Sequence, residues 1–89
     1  MTTKQTKSLT IIKRSSPPCP MCEMLEQGLI ETGTPYTAID ITNNPDIVED
    51  YDITSIPVTL IKDESGEVVE RINGFVAAEM LAEIIKEGR

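Results

Sequence analysis

The chain has no histidine and no tryptophan, one phenylalanine, two tyrosines and two cysteines among its 89 residues. Each shortage excludes something. Without His or a third Cys, one chain cannot assemble the four-ligand Cys/His set of a structural zinc site. With so few aromatic rings, the core must be built from Ile, Val and Leu, and 89 residues hold one modest core. No run of 18 apolar residues is present, so no segment reads as a membrane-spanning helix. The start, Met1–Lys7, is polar and lacks the apolar stretch of a secretory signal, so the chain is expected in the cytosol.

Basic residues are also missing from most of the chain. Residues 15–61 carry eight acids and no Lys or Arg, whereas residues 1–14 carry four bases and no acid; the net charge is −7. No basic stripe is available to neutralise phosphates, which argues against a nucleic-acid partner. An acidic surface confers solubility, and it also favours partners with basic faces at long range.

What the chain does have is Cys19-Pro20-Met21-Cys22. The residues before it (Leu9–Arg14) are apolar and β-branched enough for a buried strand, and those after it read as a helix from about Pro20 to Thr32. Proline is favoured at the first helical position because its missing N–H would be unpaired there anyway. Cys19 therefore falls at a helix N-terminus, where unpaired N–H groups favour negative charge and lower a thiol pKa. The effect is large: a thiol with pKa about 8.5 is roughly 3% thiolate at pH 7, and one near 7 is about half thiolate. Cys22, one turn further in, is expected to be the more buried thiol and to resolve a mixed disulfide formed by Cys19. Rival readings of the pair are a metal site shared between two chains, Cu(I) held by two thiolates, and two incidental core cysteines. Prolines at 17, 18 and 20 do not suit a packed core helix.

The remaining pattern is short strands and helices. Residues 1–6 read as a flexible polar tail. In the first helix Cys22, Leu25 and Leu29 share the inward face with Met21 alongside, and Glu23, Glu26 and Glu31 face water. Gly28 allows close approach to a sheet or is simply tolerated, and Gly33 ends the helix. A second strand covers Pro35–Ile41. Asn44 caps a short helix whose first position is Pro45. Val58–Lys62 and Glu67–Ile72 form a hairpin about Asp63–Gly66, and a last helix runs from about Val76 to Glu87 with Ala77, Met80, Leu81, Ile84 and Ile85 inward. The order β-α-β-α-β-β-α in a single α/β domain predicts a mixed four-stranded sheet with helices on its faces.

Asp52-Ile53-Thr54-Ser55-Ile56-Pro57 supplies a second motif, with a proline at the first residue of a strand. Together with Cys-x-x-Cys and the element order, it resembles the thioredoxin superfamily over nearly the whole chain. The resemblance implies a thioredoxin fold and a cis Ile56–Pro57 bond facing the disulfide. It also implies an extended substrate segment that pairs with the backbone of Ile56. In that fold Pro18, Pro20, Met21, Ile56, Pro57, Gly74 and Phe75 would ring Cys19 as an apolar collar suited to a protein segment.

The chain resembles glutaredoxins in length and in Cys-Pro-x-Cys, thioredoxins in Tyr51–Pro57, and the small NrdH-type redoxins in Ile72-Asn73-Gly74-Phe75. It departs from these patterns in several places. Pro18 replaces a Trp common in thioredoxins, Lys13 stands nearest to their buried Asp, and Met21 replaces the Tyr of glutaredoxins. Gly74 is followed by Phe75, Val76, Ala77 and Ala78 rather than by the acids that hold glutathione. Losing one such charge-assisted contact costs about 1.5–3 kcal/mol, so weak use of glutathione is expected. Lys13 and Arg14 stand where glutaredoxins place a basic residue against the thiolate or glutathione.

The expected activity is reduction of protein disulfides by a monomer without bound cofactor or metal. NADPH would recharge it through a thioredoxin reductase, and a ribonucleotide reductase is a client the resemblance allows. The alternatives are a glutathione-dependent glutaredoxin and a module holding an iron–sulfur cluster or another metal.

Overall fold

Leu9, Thr10, Ile11 and Ile12 are all buried, with apolar side chains directed to both sides of one strand. A strand covered on both faces must lie inside a sheet. The computed structural model, which describes residues 7–87, places this strand, β1 (Ser8–Lys13), in a four-stranded sheet of order β2-β1-β3-β4. β1 runs parallel to β2 (Thr37–Asp40) and antiparallel to β3 (Val58–Lys62); β3 runs antiparallel to β4 (Val68–Asn73). Helix α1 (Pro20–Glu31) makes the crossover that a parallel β1–β2 pair requires. The short α2 (Asp46–Asp50) precedes β3, and α3 (Ala78–Glu87) follows β4. This is an α/β thioredoxin fold. The expected tail at residues 1–6 lies outside the described residues.

Strand alternation divides the core in two. Leu9, Ile11 and Ile61 meet Leu25 and Leu29 of α1 and Ala78 and Leu81 of α3. On the other face Ile12, Val58 and Leu60 pack with Ile39, Ile41, Ile47, Tyr51 and Ile53. Burying each large aliphatic side chain contributes about 1.5–3 kcal/mol before chain entropy is counted.

Helix α1 ends on a Schellman turn. Gly33 N–H donates to the Ile30 carbonyl (3.1 Å) and Thr34 N–H to the Leu29 carbonyl (2.9 Å), with Gly33 at φ +70°. The helix thus stops where the sequence predicts.

Several expectations are corrected. Gly28 admits α3 rather than the sheet: a Cβ at 28 would lie 2.7 Å from the Ala78 Cβ. That contact sets the rotation of α3. Ala78 and Leu81 are its buried residues and Ile84 and Ile85 pack against the same core as expected, but Met80, expected inward, is 59% exposed. The helix also starts two residues late, at Ala78. Asn44 does not cap α2: its side-chain amide donates to the Asp40 carbonyl (3.0 Å), and Pro45 takes the cap position without a side-chain bond. β2 is trimmed to Thr37–Asp40, because Pro35 has no N–H and the Tyr36 side chain turns toward α1.

The α1–α3 contact yields a prediction. Alanine at 28 would gain helix propensity of about 1 kcal/mol, but two fixed Cβ atoms at 2.7 Å must part. Gly28→Ala should lower the urea midpoint, with a net loss of about 1–3 kcal/mol. Adding Ala78→Gly should recover part of that loss. A Gly28→Ala protein as stable as the parent would show that the helices do not meet this closely.

Candidate active site

Cys19 is the N-cap of α1. Its backbone is extended (φ −120°, ψ 97°), Pro20 begins the helix, and the Glu23 N–H donates to the Cys19 carbonyl (3.0 Å). The Cys19 sulfur fills the place of a capping oxygen: it accepts the Cys22 N–H at 3.1 Å. Cys19 and Cys22 are joined as a disulfide with their Cα atoms 5.2 Å apart. Cys19 is 4% exposed and Cys22 1%, so both sulfurs are shielded in this oxidised state and Cys22 the more so. Among the described residues there is no cluster of three or more His, Cys, Asp or Glu able to hold a metal ion.

The loop before Cys19 is held from both sides. Arg14 Nε donates to the Pro17 carbonyl (2.8 Å) and Nη2 reaches the Pro18 carbonyl (3.5 Å). The Ser15 N–H donates to Asp40 Oδ1 (3.2 Å) and the Ser16 N–H to Thr42 Oγ1 (3.1 Å). The Ser15 side chain, then the Thr42 N–H (2.9 Å), hold the Asp40 carboxyl below the usual carboxylate range. Asp40 and Thr42 did not stand out in the sequence. Their only signal was polarity at the end of the strand expected at Pro35–Ile41 beside β1.

Lys13 is turned toward α1, where its Nζ lies 3.1 Å from Glu26 Oε1. The Tyr36 hydroxyl donates to Glu26 Oε2 (3.0 Å). Glu26, expected to face water, is therefore largely covered, one helical turn beyond Cys22. Burial, then the bond to Glu26 and its negative charge, push the Tyr36 hydroxyl pKa up.

The second motif is joined to the last strand. The Ile56–Pro57 bond is cis, as is Ser16–Pro17, and the Gly74 N–H donates to the Pro57 carbonyl (2.9 Å). Gly74 has φ +88°, which lets the chain turn there out of β4. Pro57 is buried and Ile56 half-buried, while Pro18 and Pro20 are exposed and Met21 and Phe75 are 45% and 47% exposed.

The thioredoxin family profile matches residues 2–87. The chain belongs to the thioredoxin family. It is 31% identical to the SPbeta prophage-derived thioredoxin-like protein YosR of Bacillus subtilis, over 91% of this chain and all of that protein. It is 33% identical to a thioredoxin of Staphylococcus saprophyticus, over 78% of this chain and 71% of that one. The fold matches thioredoxin-2 of the malaria parasite with a TM-score of 0.74 at 17% identity, over 97% of this chain and 86% of that chain. As a thioredoxin-family chain with a paired Cys-x-x-Cys, it is a thiol–disulfide oxidoreductase, and its redox group is its own Cys19–Cys22 pair. The family implies disulfide-bearing protein substrates and a reductase in general terms.

The tie from Asp40 to the loop depends on pH. Because the folded pKa is depressed, its contribution is present above the unfolded value of about 3.9 and is lost as pH falls through the folded one. Hydrogen exchange at the Ser15 and Thr42 amides should therefore accelerate in the parent, beyond the intrinsic pH trend, as pH drops through this acid window. In Asp40→Ala it should be fast already at pH 7. Unchanged protection in Asp40→Ala would show that Asp40 does not hold the loop.

Proposed function

We propose that the chain reduces protein disulfides, with Cys19 as nucleophile and Cys22 as resolving thiol, and that a thioredoxin reductase using NADPH recharges it. The observation that carries the assignment of roles is the helix start: both cysteines are buried, but Cys19 caps α1 and receives an amide N–H, whereas Cys22 lies within the helix. In the reduced protein the same amide and the positive end of the helix would stabilise a Cys19 thiolate.

The steps balance without another cofactor. The Cys19 thiolate attacks one sulfur of a client disulfide, forming a Cys19–client bond and releasing the other client sulfur as a thiolate. The Cys22 thiol gives up its proton and attacks the Cys19 sulfur. The internal disulfide closes and the second client sulfur leaves. Two electrons pass to the client, and the flavin-dependent reductase returns two from NADPH.

The client would dock across Pro18, Pro20, Met21, Ile56, Pro57, Gly74 and Phe75. The exposed Met21 and Phe75 side chains support this reading, as does the direct bond between Gly74 and Pro57. An extended client segment would add main-chain hydrogen bonds at Ile56. The absence of an acid directly after Gly74 favours a protein client over glutathione. We place the protein in the cytoplasm as a monomer, with a ribonucleotide reductase among its clients, in keeping with its likeness to the small NrdH-type redoxins.

Cys19→Ser should abolish turnover, and Cys22→Ser should accumulate mixed disulfides with clients. NADPH oxidation with a disulfide substrate should proceed with thioredoxin reductase and fall at least about tenfold with glutathione and its reductase, the factor expected from losing one charge-assisted contact. Full dithiol activity in Cys19→Ser would reverse the roles. Faster turnover with glutathione would make the protein a glutaredoxin.

A further inference from the structure

Beside Ile56 lies a cleft of about 210 Å³ lined by Arg14, Ile41, Val48, Ile53, Thr54, Ser55 and Ile56. Two larger clefts lie elsewhere: one of about 400 Å³ by Thr32–Pro35 and α3, at the far end of α1 from Cys19, and one of about 350 Å³ along α3 at Met80 and Ile84. The cleft beside Ile56 adjoins the proposed docking strand. It is too small for a typical small-molecule site of about 300–1,000 Å³, but it is the right size for a side chain.

Its chemistry has one sign. Arg14 is the only charged residue in the lining, accompanied by two hydroxyl residues over an aliphatic floor. The guanidinium uses Nε and Nη2 on the Pro17 and Pro18 carbonyls. No carboxylate pairs with it among the described residues, where the one ion pair is Lys13–Glu26. Nη1 accordingly has no hydrogen-bond partner there. Arg14 is thus a cation with no carboxylate at ion-pair distance among the described residues, at the edge of a stretch, residues 15–61, that holds eight acids and no base.

We propose that this cleft is a subsite for one acidic side chain of the client segment, whose carboxylate meets Arg14 while its methylenes lie on Ile53 and Ile56. The inference rests on the reading of Ile56 as the docking edge. It adds a selection rule: a client carries an Asp or Glu close to its reactive cysteine. Guanidinium suits the task, since it keeps its charge and offers a donor pre-oriented by its two loop bonds.

The test uses the reduced full chain in single-turnover reactions with short cysteine peptides held as mixed disulfides with 2-nitro-5-thiobenzoate. Asp, Asn or Lys is placed in turn at each of the two positions on either side of the cysteine. At one position the Asp peptide should react about 3- to 10-fold faster than its Asn twin, with Lys slowest, a range set by a partly exposed charge pair. The preference should shrink with added salt. Since Arg14 also steadies the loop, the decisive variant is Arg14→Glu: within that protein the order should invert, with Lys ahead of Asp. Damage to the loop would slow all peptides alike and could not invert their order. Equal rates for the three residues at every position, while bis(2-hydroxyethyl) disulfide is still reduced, would overturn the subsite and leave the thiol chemistry intact. No reduction of bis(2-hydroxyethyl) disulfide would overturn the underlying function, and the subsite with it.

Discussion

A helix start needs an acceptor for its unpaired N–H groups, and here a sulfur fills that place. The Cys22 N–H points at the Cys19 sulfur, and Pro20 has no N–H to satisfy. The same contact caps the helix and is poised to stabilise a thiolate. It depends on where α1 begins, which depends on β1. The strand is buried from Leu9 to Ile12 and cannot shift along its neighbours without moving its side chains to the opposite face. The sheet register therefore delivers Arg14 and the loop to a fixed point, and Arg14, Asp40 and Thr42 hold them there.

The other half of the site is joined to the same frame. Val58 pairs with Ile12 of β1 and with Asn73 of β4, so the Ile56–Pro57 turn lies at the end of a central strand. The bond from Gly74 to Pro57 brings in the segment that carries Phe75. A rigid sheet thus holds two chain turns, one bearing the sulfurs and the other an open backbone edge. The docking reading draws its support from this arrangement.

Most of the fold was legible because its signals are local. Pro20 after Cys19 marked a helix start, Gly33 marked its end, and the aliphatic runs at 9–12 and 58–61 marked central strands. What could not be read was tertiary. The rotation of α3 depends on Ala78 meeting Gly28, a contact that helical periodicity does not show, and it leaves Met80 on the outer face. Glu26 looked like a solvated helix acid because Lys13 and Tyr36, its partners, are 13 and 10 residues away in sequence. The cysteine pair stood out by its spacing, and its redox reading needed the Ile56-Pro57 motif and the element order as well. The loop ties from Asp40 and Thr42 and the cleft at Arg14 exist only once β2 lies beside β1.

The proposed roles require that the start of α1 activate Cys19 in preference to Cys22. The direct measurement is thiolate absorbance near 240 nm against pH in the reduced protein and in each single Cys→Ser variant. One thiol should titrate well below the ordinary value of about 8.5, present in Cys22→Ser and absent from Cys19→Ser. Two thiols titrating at or above about 8.5, or a low value that survives in Cys19→Ser, would contradict these roles.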